Sequence, residues 1–310
     1  MSQDPANRAE LLSALEGTLA LLHEAGRTAG SDLPDLPLPS LLAQCADRVA
    51  ALDVAAATPV RTLHHMACSG GTLISKALAA MPNTVMLSEI DPLSTLHLRA
   101  PKPPFLPTDL IAGLRYSPRG IGEQTILHIF TAGLTALRDD LHTQGLALVL
   151  RDHAHSQFCT DQDRQARPTL HKLVSDALPV LSVVTVRHPL DSFLSLRNNK
   201  WAHFQPATLQ EYCLRYLDFL DAHVDLPLYR YEDFVADPAR VTAEICDALD
   251  LPFNPGFEPL LPLMALSGDS GRAGAQIETR DRRAVSADLR ADANQSPAYA
   301  RLCARLGYDA

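Results

Sequence analysis

Pro59-Val60-Arg61-Thr62-Leu63-His64-His65-Met66-Ala67-Cys68-Ser69-Gly70-Gly71-Thr72-Leu73-Ile74-Ser75-Lys76 is the stretch that decides the fold. Residues 59–65 make a short apolar run suited to a buried strand, the next residues are mostly small, and the spacing over 72–80 predicts a helix. A strand that feeds a helix through small residues is a ready anion cradle. The backbone N–H groups of Ser69, Gly70, Gly71 and Thr72 can converge on a phosphate, with the positive end of the helix behind them and the Ser and Thr hydroxyls beside them. An ordinary Gly-rich turn between strand and helix reads the same way from this segment alone. The loop is not a Walker loop, because no Lys precedes Thr72, so magnesium-dependent phosphoryl transfer lacks its lysine.

Working outward, apolar runs at 84–87, 146–151, 180–186 and 226–231 read as further buried strands, and helical patterns follow at 121–144, 189–200, 207–224 and 238–250. That alternation predicts an α/β domain over residues 59–310, with a mostly parallel central sheet flanked by helices. In such sheets ligands sit beyond the carboxyl ends of the strands. Residues 1–58 read as an N-terminal helical extension. Leu11, Leu12, Leu15, Leu19 and Leu22 have helical spacing before Gly26, and Ser40 is placed to cap a second helix running to Leu52. The Pro-rich segment 30–39 links the two, and a second Pro-rich stretch, 101–107, reads as an excursion from the sheet.

Composition narrows the classes. With 46% apolar residues in 310 there is ample material for a core, and 27 basic against 36 acidic side chains give a net charge of −9. This balance argues against nucleic acid or an anionic membrane as the main partner. No apolar run approaches the roughly 20 residues of a membrane span, and the first residues lack the basic and apolar regions of a signal peptide, so a cytoplasmic protein is expected. Cys45, Cys68, Cys159, Cys213, Cys246 and Cys303 are scattered without a Cys-x-x-Cys pair and read as reduced thiols.

A second anion site is predicted where the 180–186 strand ends, in Val186-Arg187-His188-Pro189-Leu190-Asp191-Ser192-Phe193-Leu194-Ser195. Pro189 suits a helix start, so Arg187 projects from the strand end and Ser195 lies about two turns along the helix. An Arg fork and a Ser hydroxyl together suit phosphate. A surface Arg paired with Asp191 is the alternative.

Taken in order, these segments resemble the PAPS-dependent sulfotransferase family across about residues 59–310. PAPS is 3′-phosphoadenosine 5′-phosphosulfate. Residues 67–74 resemble the family's P-K-S-G-T-T-W-L loop, which places Ser69, Gly70, Gly71 and Thr72 on its phosphate-cradling positions and Cys68 beside them. Arg187 and Ser195 fall on the Arg and Ser that hold the nucleotide 3′-phosphate. Tyr231-Glu232-Asp233-Phe234 looks like the Y-E-D segment, whose Tyr approaches the adenine, and Arg272 and Gly274 resemble the late R-x-G loop. Leu150-Arg151-Asp152-His153 resembles the K-T-H element, which carries His153 onto the position of the catalytic base. The resemblance implies a sulfotransferase of P-loop fold. It would take PAPS as donor, release 3′,5′-diphosphoadenosine, act on a small-molecule or carbohydrate acceptor, and need no metal.

One position departs from the pattern. Where the family's loop carries Lys or Arg against the developing charge, this chain has Cys68, and a thiol is only a weak donor. Lys76, Arg151, and His64 or His65 if protonated are the candidate replacements. A nucleotide-binding scaffold that has lost turnover, and a kinase-like P-loop enzyme, are the other readings. The runs Asp152-His153-Ala154-His155 and His64-His65 also admit metal ligation, though no further carboxylate spacing supports it. Glu89 admits an acceptor contact, or a helix-capping or turn role. Trp201, the only Trp, admits either the acceptor cleft or the core.

Overall fold

The computed structural model describes Ser13, residues 16–21, Glu24, Ser40, Ala43, Gln44, residues 58–99, 105–268, Ile277 and 282–310. The chain divides into two compact units, Met1–Ala57 and Thr58–Ala310. In the first, Ser13, residues 16–21 and Glu24 are helical, and the Ser40 hydroxyl accepts from the Ala43 amide at 3.0 Å. The leucines at 11, 12, 15 and 22, the stop at Gly26, the 30–39 segment, Cys45 and residues 101–104 lie outside the described residues.

In the second unit five strands form one sheet: β1 (Val60–His65), β2 (Thr84–Ile90), β3 (Ala147–Asp152), β4 (Val180–Val186) and β5 (Leu228–Arg230). Their order is β2-β3-β1-β4-β5, and every pairing is parallel. The fold is therefore the expected α/β arrangement, with an all-parallel sheet. The predicted last strand was longer than the observed one, because its register with β4 runs only from Leu228 to Arg230 and Tyr231 already opens a helix.

Residue parity assigns the two sheet faces. Leu63 pairs with Val183 and neighbours Arg151, so the odd-numbered residues of β1, β3 and β4 share one face. Leu63, Val149 and Val183 pack there against Ile74, Leu78, Val241 and Ile245. These come from α1 (Gly71–Ala79) and from a later helix, Pro238–Ala248. The even-numbered Val60, Leu148 and Leu150 meet Leu134 and Leu141 on the opposite face. Val184 joins Phe193, Tyr212, Tyr216 and Phe219 on that side. Arg61, buried, ties the odd face to the end of Pro238–Ala248 by donating to the carbonyls of Leu249 at 2.8 Å and Asp250 at 2.9 Å. A cation at a helix carboxyl end is the favourable placement.

No helix among the described residues is long and apolar enough to cross a membrane.

Candidate active site

The loop between β1 and α1 is built on two left-handed residues, Cys68 at φ 63° and Gly70 at φ 87°. For Cys that conformation costs about 1 kcal/mol or more, so the surrounding packing has to hold it there. Gly70 is the N-cap of α1 and offers no side chain, so the first amides of the helix keep their N–H groups for another acceptor. Both glycines are also sterically required. A Cβ on Gly70 would overlap the Tyr231 ring, and one on Gly71 would overlap the His65 ring. Ser69 differs from expectation. It is fully buried, and its amide and hydroxyl both close onto the Met66 carbonyl, at 3.3 and 2.7 Å, so it shapes the turn from inside.

On one side of the loop, Arg187 leaves the end of β4 and reaches the Cys68 carbonyl at 3.4 Å, with its guanidinium 5.0 Å from the centre of the Tyr231 ring. Gly70, Cys68, Arg187 and Tyr231 are thus brought together. Ser195 lies on the helix Pro189–Asn198, which Pro189 opens. Its hydroxyl is buried and has no hydrogen-bond partner. A buried hydroxyl without a partner, a guanidinium with one long bond, and an uncapped helix start all suit a phosphorylated anion. Glu232 has a structural role, accepting from the His188 amide at 3.0 Å and from the Tyr308 hydroxyl at 2.6 Å. Arg272 and Gly274 lie outside the described residues.

On the other side, Arg151 at the end of β3 is 4% exposed, and its fork is fully engaged. It donates to His65 Nε2 at 2.9 Å, to the Ser88 hydroxyl at 3.0 Å, to the Ser267 carbonyl at 3.1 Å and to the Thr72 hydroxyl at 2.9 Å. It also pairs with Glu89 Oε1 at 2.9 Å. Glu89 Oε2 in turn lies 3.4 Å from His153 Nε2. A bulge puts Glu89 there: the register advances from Leu87–Leu150 to Ile90–Asp152, one residue more on β2 than on β3, and Glu89 is left-handed at φ 61°. Gly268 completes the corner, since a Cβ at that position would collide with the Glu89 carboxylate.

This geometry sorts the candidate cations. His65 is pushed down to about 3, first by burial and then by the adjacent Arg151, and its Nε2 lone pair accepts from that guanidinium. His64 is likewise pushed down to about 3 by burial. Neither imidazole carries charge near neutral pH, which removes both from the list of replacements for the loop lysine. Lys76 sits in the last turn of α1, at the end away from the loop. Of the candidate replacements, Arg151 is the one whose hydrogen bond to a residue of the loop, Thr72, is seen. Beside it, His155 stacks on His203 at 5.4 Å and lies 6.0 Å from both His153 and Trp201, so the only Trp belongs to an aromatic shelf near His153.

Sequence signals for this second group were partial. Glu89 was visible as a carboxylate after a strand, but its bulge was not, and nothing in sequence links Thr72 to Arg151.

Comparison with known proteins adds the following. The chain is similar to the sulfotransferase domain of the Synechococcus PCC 7002 olefin synthase, with 19% identity, 82% of this chain and 96% of that one covered, and a TM-score of 0.49. It is also similar to a sulfotransferase domain from the curacin biosynthetic pathway, with 18% identity, 81% and 98% covered, and a TM-score of 0.44. For a sulfotransferase from Alicyclobacillus acidocaldarius the figures are 15% identity, 82% and 98% covered, and a TM-score of 0.42. No curated protein sequence matches the chain. The profile of the sulfotransferase family matches residues 66–255, from the phosphate loop to beyond the Tyr231 segment. Since that match spans more than half of the sequence, the chain belongs to the sulfotransferase family, which implies a PAPS-dependent transferase.

Proposed function

We propose that the chain moves the sulfuryl group of PAPS onto a hydroxyl or amine of a small-molecule or carbohydrate acceptor, with Arg151 standing in for the loop lysine and His153 as the base. The observation that carries this reading is the single guanidinium that joins Thr72 of the phosphate loop to the Glu89–His153 pair. The donor supplies an activated sulfate: the acceptor bonds to sulfur as the bond from sulfur to the bridging phosphate oxygen breaks, and 3′,5′-diphosphoadenosine leaves with the electron pair.

The residues of the chain account for the rest. Gly70, Gly71 and Thr72 present the start of α1 to the 5′-phosphosulfate, and Arg187 with Ser195 hold the 3′-phosphate. Thr72 accepts from Arg151, which leaves its own proton for the anion in place of a long 3.4 Å contact to the Gly268 carbonyl. The buried guanidinium lies one hydroxyl away from the anion that Thr72 is proposed to hold, where a fixed charge is most effective. Glu89 Oε2, 3.4 Å from His153 Nε2, sets a negative charge beside the imidazole and so favours its taking up the acceptor proton.

The test is transfer of labelled sulfate from PAPS to a panel of hydroxyl and amine acceptors. Acceptor-dependent product that falls at least about 100-fold in His153→Asn, with diphosphoadenosine binding retained, is the expected result. Tight diphosphoadenosine binding without product on any acceptor would point to the scaffold reading, and stronger binding of magnesium-ATP to the kinase-like one.

A further inference from the structure

Directly behind the catalytic ends of β1 and β3, on the other sheet face, lies a group of side chains that the transfer reaction does not use. His64 and Asp152 alternate with His65 and Arg151 along the same two strands, so they point away from the phosphate loop. His223 joins them from the turn after the helix Leu209–Asp221. All three are buried, and one ligand atom from each lies within 4.8 Å of the others.

The hydrogen bonds around the group prepare lone pairs. His223 Nδ1 donates to the Phe219 carbonyl at 2.7 Å, which fixes its tautomer and leaves Nε2 as the acceptor. That Nε2 is buried and has no hydrogen-bond partner. Such an orphaned group costs about 1–3 kcal/mol unless something binds it. His64 Nε2 meets the Thr62 hydroxyl at 2.7 Å, Thr62 meets Ser182 at 2.7 Å, and Ser182 meets His171 Nδ1 at 2.9 Å. His64 Nδ1 lies 2.8 Å from Asp152 Oδ2, so the two share one proton, which a metal ion bound between them would displace. Backbone and hydroxyl partners on the far ring nitrogens are how metal-binding imidazoles are oriented.

We propose that His64 Nδ1, Asp152 and His223 Nε2 bind one divalent transition-metal ion of the zinc class. Two imidazoles and a carboxylate are a donor set for such an ion, at about 2.0–2.2 Å from each atom. Half-buried His171, whose ring centre lies 5.8 Å from that of His64, borders the group. The site is structural. It pins β1, β3 and the turn carrying His223 immediately behind Arg151 and the phosphate loop, and no atom of the transfer reaction passes through it. The inference goes beyond the reading of the transfer site and does not depend on it. Spacing along the chain did not reveal the set, because His223 stands far from the other two in sequence.

The full chain, stripped with a chelator and titrated with zinc against a chromophoric competitor, tests this. One equivalent should bind, and His223→Leu, folded by circular dichroism, should weaken binding at least about 100-fold. Cobalt added to the stripped wild-type chain should give the intense visible bands of a low-coordinate nitrogen and oxygen site. No bound zinc, or equal affinity in His223→Leu and Asp152→Asn, overturns the proposal and leaves a proton shared between His64 and Asp152. If the variants do not fold, wild-type cobalt spectra decide: weak octahedral bands overturn it.

Discussion

At the scale of single residues, the nucleotide side of the site makes two opposed predictions. Arg187 holds the Cys68 carbonyl by one long bond, so its charge is available to a ligand. Arg187→Ala should weaken diphosphoadenosine binding about 10- to 100-fold by calorimetry, the range for losing a charge-assisted hydrogen bond. Ser195 is different, because its buried hydroxyl has no partner in the ligand-free chain. Ser195→Ala should therefore cost no stability in urea unfolding, yet lower nucleotide affinity by roughly 10-fold. Stability falling together with affinity would mean that the hydroxyl is structural. Arg187 and Ser195 could be singled out from sequence because a Pro-started helix fixes where each of them projects. Arg151 was legible as a cation at a strand end, but its five contacts were not, since all five partners come from other segments. Ser69 misled for a related reason: composition shows a small hydroxyl in a loop and not which way it turns.

At the scale of elements, the strand, loop and helix over residues 60–79 act as one device, with Tyr231 as its outer wall. Gly70→Ala should force the Tyr231 ring off the loop, because the added Cβ has no room beneath it and the backbone is left-handed. Overpacking of this kind costs about 1–3 kcal/mol. The expected outcome is a lower urea midpoint together with loss of diphosphoadenosine binding, whereas a variant that binds normally would show that the ring moves freely. The five strands were readable because buried parallel strands are near-continuous apolar runs, as in Val180–Val186. The last helices, Ala287–Gln295 and Pro297–Leu306, were overlooked although Ser286 caps the first and Ser296 with Pro297 opens the second. The bulge at Glu89 leaves no trace in residue type, since it is set by pairing with β3.

At the scale of the whole molecule, the C-terminal segment closes against the end of β4 through His188. Its Nδ1 accepts from the Leu190 amide at 3.3 Å and lies 2.8 Å from the Arg282 guanidinium, while Nε2 reaches the Asp309 carbonyl at 3.3 Å. Burial, and then Arg282, hold this imidazole below its ordinary value. The unfolded chain takes up the proton near pH 6.5 and the folded chain only below that, so this contribution is intact above about pH 6.5 and is lost as pH falls beneath it. His188→Asn, which keeps a capping side chain, should show a shallower fall in Tm between pH 7.5 and 5 by calorimetry. An unchanged slope would place the acid sensitivity elsewhere. The position of β1 at the centre of the sheet has a further consequence. Arg187 and Tyr231 arrive from its β4–β5 flank, and Arg151, Glu89 and His153 from its β3–β2 flank, so the proposed reading assigns the two substrates to separate halves of the sheet. Divergence in the loops beyond β2 and β3 can then retune which acceptor is taken while the nucleotide half is inherited unaltered.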